Sequence, residues 1–352
     1  MSTKPNAPSE RTPFAGPMLK GPDAPASLRA AAAASRPDKF APPGCERDSE
    51  ISDTLQILVD PWRFLIIREA FFGAERFNEF AARLCMPRAT LTKALTNLVS
   101  SGLLESVSLG SGGSWKRYLL TDSGRDLFPA LLGLMWYGDK WLWDGIPPLA
   151  LFHEPSRTWF SPLLVWEHDH SPLNPRTVKF EIDPGYWRAR DEPLARTYRM
   201  DRARQARGLR PCSMERTLAV VGDRWTFMIF QEFFHGNSRF DEFTHNLGIA
   251  SNVLASRLEN LVSHGFLEKQ GDGGAYRLTP KGRDTYCPMV LLKTWGDRWL
   301  RQGRGTTSRF VSVSTGETTR AIVIVPATGE PVDPADVRLV PLYLPEVSGE
   351  SS

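Results

Sequence analysis

With 352 residues, 41% of them hydrophobic and 24% charged, the chain has a globular composition and enough length for two or three cores. Its 43 basic and 40 acidic side chains leave a formal charge of only +3, so any charged partner has to be sought in local patches. The longest apolar runs, Leu131–Trp136 and Ala321–Val325, are far shorter than the roughly 20 residues that span a bilayer, and the four cysteines have no CxxC spacing. The expectation is a reduced cytoplasmic protein with no membrane segment and no secretory leader.

Residues 1–44 are rich in Pro, Ala and small polar residues, without a sustained apolar period. They are expected to form a disordered tail, with a short helix at Ser27–Ser35. From 45 to 145 comes a first unit whose phrases return later. Asp60-Pro-Trp62 aligns with Asp223-Arg-Trp225, Arg76-Phe77 with Arg239-Phe240, and NLVSSGLLE at Asn97–Glu105 with NLVSHGFLE at Asn260–Glu268. YLLTDSGRD at Tyr118–Asp126 likewise returns as YRLTPKGRD at Tyr276–Asp284. A repeat of about 130 residues is far beyond solenoid periods and marks a duplicated domain.

Next, 146–187 reads as a β-rich tail: an apolar strand, a turn and a Pro-rich approach to another strand. It is echoed by a second tail at 304–345, with 346–352 as a disordered end. Between the copies, 188–211 is an Arg-rich linker in which eight arginines face three acids over Arg188–Arg210. The second unit, 212–303, has the more regular pattern. Its spacing predicts a helix over Ser213–Phe234 with a break near Gly222, and a short helix capped by Ser238. A third helix is capped by Ser251 and ends at Gly265, two strands surround Gly271–Gly274, and a last helix runs from Gly282 to Leu300. Trp295 and Trp299 share one face of that last helix, and Trp136, Tyr137 and Trp141 occupy the same region of the first copy. They are either plain core or a surface on which the copies meet. The fold expected is mainly α with small β wings (α+β): two winged helix-turn-helix domains, each followed by a short β-rich tail.

The residues Cys212, Glu215, Leu218, Gly222, Trp225, Thr226, Arg239, Phe240, Glu242, Phe243, Leu254, Arg257, Leu258, Leu261, Leu278, Thr279, Gly282 and Arg283 together resemble HxlR-type winged-helix transcriptional regulators. The first copy is a looser match, with Pro61 and Arg63 at positions where the pattern differs. Such regulators are short dimers whose terminal helices pack across a two-fold axis. The resemblance therefore implies one chain carrying both half-site readers, an intramolecular pseudo-dimer that binds double-stranded promoter DNA at the nucleoid. It leaves open whether two whole chains also pair.

A recognition helix enters the major groove by its exposed N-terminal half, while wings and helix ends meet phosphates. In the first copy the DNA-contacting candidates are Arg88, Thr90, Thr92 and Lys93 on the helix, with Lys116 and Arg117 on the wing. In the second they are Ser251, Asn252, Ser256 and Arg257, with Lys269 and Arg277 flanking the wing. Arg257 lies in register beside Leu254 and Leu258, so an acid or a phosphate is its alternative partner. Unequal heads predict an asymmetric or degenerate operator, with half-sites roughly 34 to 36 Å apart.

Cys212 stands where some members of the resembling family carry a redox-sensing thiol. Arg210 and a helix N-terminus could lower its pKa, although Ser49 at the equivalent place favours an inert cysteine. His153, His168 and His170 with Glu167 and Asp169 have metal-ligand chemistry, but the second copy has no counterparts, so a metal-free tail and no cofactor are expected. No GxSxG, HExxH, P-loop or GxGxxG stands in context, so no enzyme is expected. The rival reading is a non-catalytic protein-interaction or ligand-responsive scaffold in which one or both heads no longer bind DNA.

Overall fold

The computed structural model describes residues 41–42, 45–47, parts of 51–57, 61–108, 116–182, 187–189, 211–221, 224–271, 274–301, 306 and 308–343. The helix expected at Ser27–Ser35, most of the Arg-rich linker, Gly222, the wing tips and 346–352 lie outside the described residues. In the first copy the chain forms β1 (Cys45–Arg47), α1 (Pro61–Phe71), α2 (Phe77–Leu84), α3 (Arg88–Ser100), β2 (Leu104–Ser108), β3 (Lys116–Leu120), α4 (Asp122–Asp126) and α5 (Phe128–Trp141). The tail strands follow: β4 (Leu149–His153), β5 (Thr158–Phe160), β6 (Leu163–Trp166), β7 (Val178–Ile182) and β8 (Trp187–Ala189). The second copy opens with α6 (Ser213–Val221), opposite the helical residues Ile51, Asp53, Thr54 and Ile57 of the first, and then repeats the order from α1 onward with α7 (Arg224–Phe234), α8 (Phe240–Leu247), α9 (Ser251–Ser263), β9 (Leu267–Gln270), β10 (Ala275–Leu278), α10 (Pro280–Arg283) and α11 (Tyr286–Trp299). Its tail holds β11 (Ser308–Ser312), β12 (Thr318–Thr319), β13 (Ala321–Ile324) and β14 (Val337–Pro341). Two winged helix-turn-helix units with small antiparallel sheets are therefore present, and no helix among the described residues is long and apolar enough to cross a membrane.

Helix α3 buries Leu91, Ala94, Leu95 and Leu98, and α9 buries Leu254, Leu258 and Leu261, the one-sided spacing that leaves the opposite face to solvent. The starts differ from expectation by one residue. Helix α8 is preceded by Arg239 rather than Ser238 at its cap, and α9 begins at Ser251 with Ala250 in the cap position. The cause in α8 is an acid three residues in: Glu242 Oε2 accepts from the backbone N–H of Ser238 at 2.7 Å and of Arg239 at 3.0 Å, so no hydroxyl cap is needed. Glu79 does the same for α2, and the two backbone N–H groups hold its carboxyl below the ordinary range. Past α9, Gly265 takes a left-handed φ of 72°, the geometry that ends a helix without a Cβ penalty.

The last predicted helix is two. In α10, Thr279 Oγ1 accepts from Gly282 N–H at 3.1 Å, and a Cβ on Gly282 would lie 2.2 Å from the Phe266 carbonyl oxygen. Thr121 and Gly124 repeat this arrangement in α4, with the Leu103 carbonyl at 2.2 Å. Short helices pressed onto the recognition-helix exit thus tie each wing to its body. Two ends differ from the expected segmentation. Ala41, placed in the tail by composition, is buried, with its N–H donating to Asn246 Oδ1 at 3.1 Å and its carbonyl 3.0 Å from His245 Nε2. The start of the expected linker is strand β8, paired antiparallel with β1.

Contacts between the copies come in matched pairs. Helix α5 packs on α6 and on α11. Thr217 donates to Leu134 O at 2.9 Å, and its counterpart Thr54 to Leu292 O at 3.3 Å. Trp141 Nε1 donates to Asp284 at 2.8 Å and Trp299 Nε1 to Asp126 at 2.7 Å, while Tyr137 bonds Lys281 O and Trp295 bonds Ser123 O, each at 2.9 Å. Of the aromatics left open by periodicity, Tyr137, Trp141, Trp295 and Trp299 are therefore contacts between copies. The tails also exchange strands: β4 pairs with β14, β11 with β7, and β6 with β13, all antiparallel and each across the two copies.

The match is not complete. Lys293, eighth in α11, is 2% exposed with Nζ 2.8 Å from Asp297 and from Ser308 O, whereas the eighth residue of α5 is Met135. Arg68, eighth in α1, is buried, whereas Gln231 stands eighth in α7. At the α5–α6 joint Asp139 accepts from the Ser213 hydroxyl, and burial pushes its carboxyl up to about 6 although that bond opposes the shift.

Candidate nucleic-acid interface

The faces of α3 and α9 opposite their buried leucines are the two candidate reading surfaces. On α3, Arg88, Thr92 and Lys93 are exposed and Thr90 is half-buried. The Arg88 guanidinium lies over the Phe77 ring at 5.0 Å, a contact that steadies its plane without consuming an N–H donor. Thr92 Oγ1 donates to Arg88 O at 2.9 Å, so its hydroxyl remains free only to accept. On α9, Ser251, Asn252 and Ser256 are exposed, while Arg257 is half-buried beside the leucine face.

Each wing adds one exposed lysine and one paired arginine. Lys116 on β3 and Lys269 on β9 are exposed. Arg117 is paired with Glu75, its Nε 2.7 Å from Oε2, and Arg277 Nη2 is 2.6 Å from Glu268 Oε2. Such partly exposed pairs are worth about 0–1 kcal/mol, so a phosphate can compete for either arginine. The structure thus places Arg88, Thr92, Lys93 and Lys116 outward on the first head, and Ser251, Asn252, Ser256 and Lys269 outward on the second. Arg117 and Arg277 are partly engaged by the protein itself, and Thr90 and Arg257 are half-buried.

Two arginines escaped the sequence-based choice. Arg76 and Arg239 are exposed, stand immediately before α2 and α8, and bridge to the wing strands at Arg117 and Ala275. The signal was present in the repeated Arg-Phe pair, which marked the duplication and entered the family resemblance but not the DNA contacts. Both side chains sit where a helix N-terminus and a wing converge, a combination suited to a phosphate.

The other candidate chemistries look different in place. Cys212 is buried just before α6, next to the Arg68 guanidinium, which bonds Glu69 Oε1 at 2.9 Å and approaches Glu215 Oε2 at 3.6 Å. Arg210, its expected neighbour, lies outside the described residues. Among the described residues no group of three His, Cys, Asp or Glu is placed to hold a metal ion. His153 Nδ1 is 2.7 Å from Ser156 Oγ and His168 Nδ1 is 3.0 Å from Thr319 Oγ1.

A family model described as HxlR-like helix-turn-helix matches residues 57–145 and again 220–304. An uncharacterised HTH-type transcriptional regulator of Mycobacterium tuberculosis strain H37Rv is 38% identical over 138 residues, 39% of this chain and 87% of the relative. The uncharacterised HTH-type transcriptional regulator YybR of Bacillus subtilis strain 168 is 32% identical over 93 residues, 24% of this chain and 74% of its own length. Among solved structures, that of PA1607 is 34% identical and covers 38% of this chain and 96% of its own, with a TM-score of 0.34.

Proposed function

The chain belongs to the HxlR-like helix-turn-helix family, and on that premise we propose that it is a sequence-specific regulator in which one polypeptide lays both heads on double-stranded DNA as an intramolecular pseudo-dimer. The family and its regulator relatives support the DNA-binding part. The pseudo-dimer rests on one observation, the reciprocal bonding of the copies: Trp141 to Asp284 against Trp299 to Asp126. Groups exchanged in both directions are what a two-fold interface requires.

In this reading α3 and α9 enter successive major grooves. Arg88, Thr90, Thr92, Lys93, Ser251, Asn252, Ser256 and Arg257 face the grooves, and Lys116, Arg117, Lys269 and Arg277 hold phosphates together with Arg76 and Arg239. Neutralising each phosphate gives a slope of about −0.9 in log K against log salt. The test is electrophoretic retardation of promoter-length duplex by the full chain. Binding is expected with one chain per duplex, and Arg88→Glu with Lys93→Glu is expected to abolish it while thermal unfolding stays unchanged. No retardation by the unaltered chain at low salt would instead favour the scaffold, and full retardation by the charge-reversed chain would remove Arg88 and Lys93 from the DNA contact.

A further inference from the structure

We infer that the two heads read different base pairs, guanine in the first half-site and A·T in the second, so that the operator is bipartite rather than an inverted repeat; this rests on the DNA-binding reading above. The comparison is position by position, because α3 and α9 are both 13 residues long. Arg88 and Ser251 come first, Ala89 and Asn252 second, Thr90 and Val253 third, Lys93 and Ser256 sixth, and Thr96 and Glu259 ninth. Exposed positions of the N-terminal half are the ones that reach base edges when a recognition helix enters by its N-terminus.

On the first head the outward donors are a guanidinium and an ammonium. The guanidinium fork matches the paired O6 and N7 acceptors of guanine, and an ammonium bonds the same two atoms. Arg88 keeps its N–H donors available because its partner is the Phe77 ring face. The second head replaces both cations by serine hydroxyls, and its single helix cation, Arg257, is half-buried. What it presents is Asn252, whose amide can both accept and donate as adenine N6 and N7 require, and next to it Val253. Val253 is 36% exposed, an apolar side chain on the outward face of a helix whose core positions are already filled by Leu254 and Leu258. Its methyl groups suit the thymine C5-methyl, the one apolar feature of the major groove. Glu259, also exposed, is repelled by guanine's two acceptors and by phosphate, and can bond only a base amine.

The experiment is selection from a random duplex pool by the full chain, followed by the same selection with variants at exposed positions. The wild type is expected to recover two dissimilar halves about one turn apart, one centred on guanine and one on A·T. Arg88→Ala should erase the preference in the guanine half alone. Asn252→Ala with Val253→Ala should erase it in the A·T half alone, a loss of about 5- to 150-fold in discrimination per base pair. Ser251→Arg with Ser256→Lys should convert the second half into a guanine half. Two like halves from the wild type, a single half, or an A·T half indifferent to Asn252→Ala and Val253→Ala overturns the inference and leaves DNA binding standing. Recovery of no duplex at low salt overturns the DNA-binding reading and this inference with it.

Discussion

Thr279 and Gly282, with Thr121 and Gly124 before them, carry the most regular short phrase in the chain. The sequence marks them as a family signature, and the structure gives the reason: a hydroxyl cap and a missing Cβ against a carbonyl oxygen 2.2 Å away. Nothing in a single sequence separates such a packing requirement from a DNA contact, since both select particular residues on an exposed turn. Gly282→Ala is expected to cost about 1–3 kcal/mol by forcing the turn off the Phe266 carbonyl, read as a lowered Tm. The arginines illustrate the opposite difficulty. Their charge is visible in the sequence, but that Glu75 and Glu268 occupy Arg117 and Arg277 is not, because those partners lie across a hairpin or 42 residues away. Glu75→Gln should therefore release Arg117, raise duplex affinity a few-fold and steepen the salt slope by about one phosphate equivalent; unchanged affinity and slope would show Arg117 to be structural.

At the level of elements, the reading helices were legible because one face had to be apolar at helical spacing. The caps were not: Glu242 supplies to α8 the bonds that Ser238 was expected to make, and α9 has Ala250, with no side-chain bond, at the cap position expected for Ser251. The tryptophans of α5 and α11 were undecidable by period, since a core face and a contact face are equally apolar. For Trp141, Trp295 and Trp299 the indole N–H groups decide it by ending on the other copy. Trp295→Ala, at a side chain 3% exposed, is expected to cost about 3–5 kcal/mol. Helix α5 also carries a titration. Burial raises the folded pKa of Asp139 from 3.8 to about 6, so the folded state holds the proton more tightly than the unfolded chain. Stability should fall as pH rises through that window and stay lower above it. Asp139→Asn should therefore match the wild type in Tm below about pH 4 and exceed it above about pH 6, as thermal unfolding across the pH series would show.

For the whole molecule, the duplication was plain in the repeated phrases, but the exchange of tail strands was not, because an alternating apolar segment pairs equally well within its own tail or across to the other. With β4 on β14, β7 on β11 and β6 on β13, a half chain ends in strands whose edges have lost their partners. Residues 212–345 expressed alone are expected to self-associate, and a chain nicked between β8 and α6 to remain one particle, both measurable by light scattering.

The unmatched pairs within that exchanged frame, Lys293 facing the role of Met135 and Arg68 that of Gln231, have an evolutionary consequence. In an assembly of identical subunits every substitution is made twice, so a change that suits one flank must be tolerated on the other. A tethered partner lifts that constraint: each flank can drift alone, and the stoichiometry of the unequal halves is set by translation rather than by subunit choice.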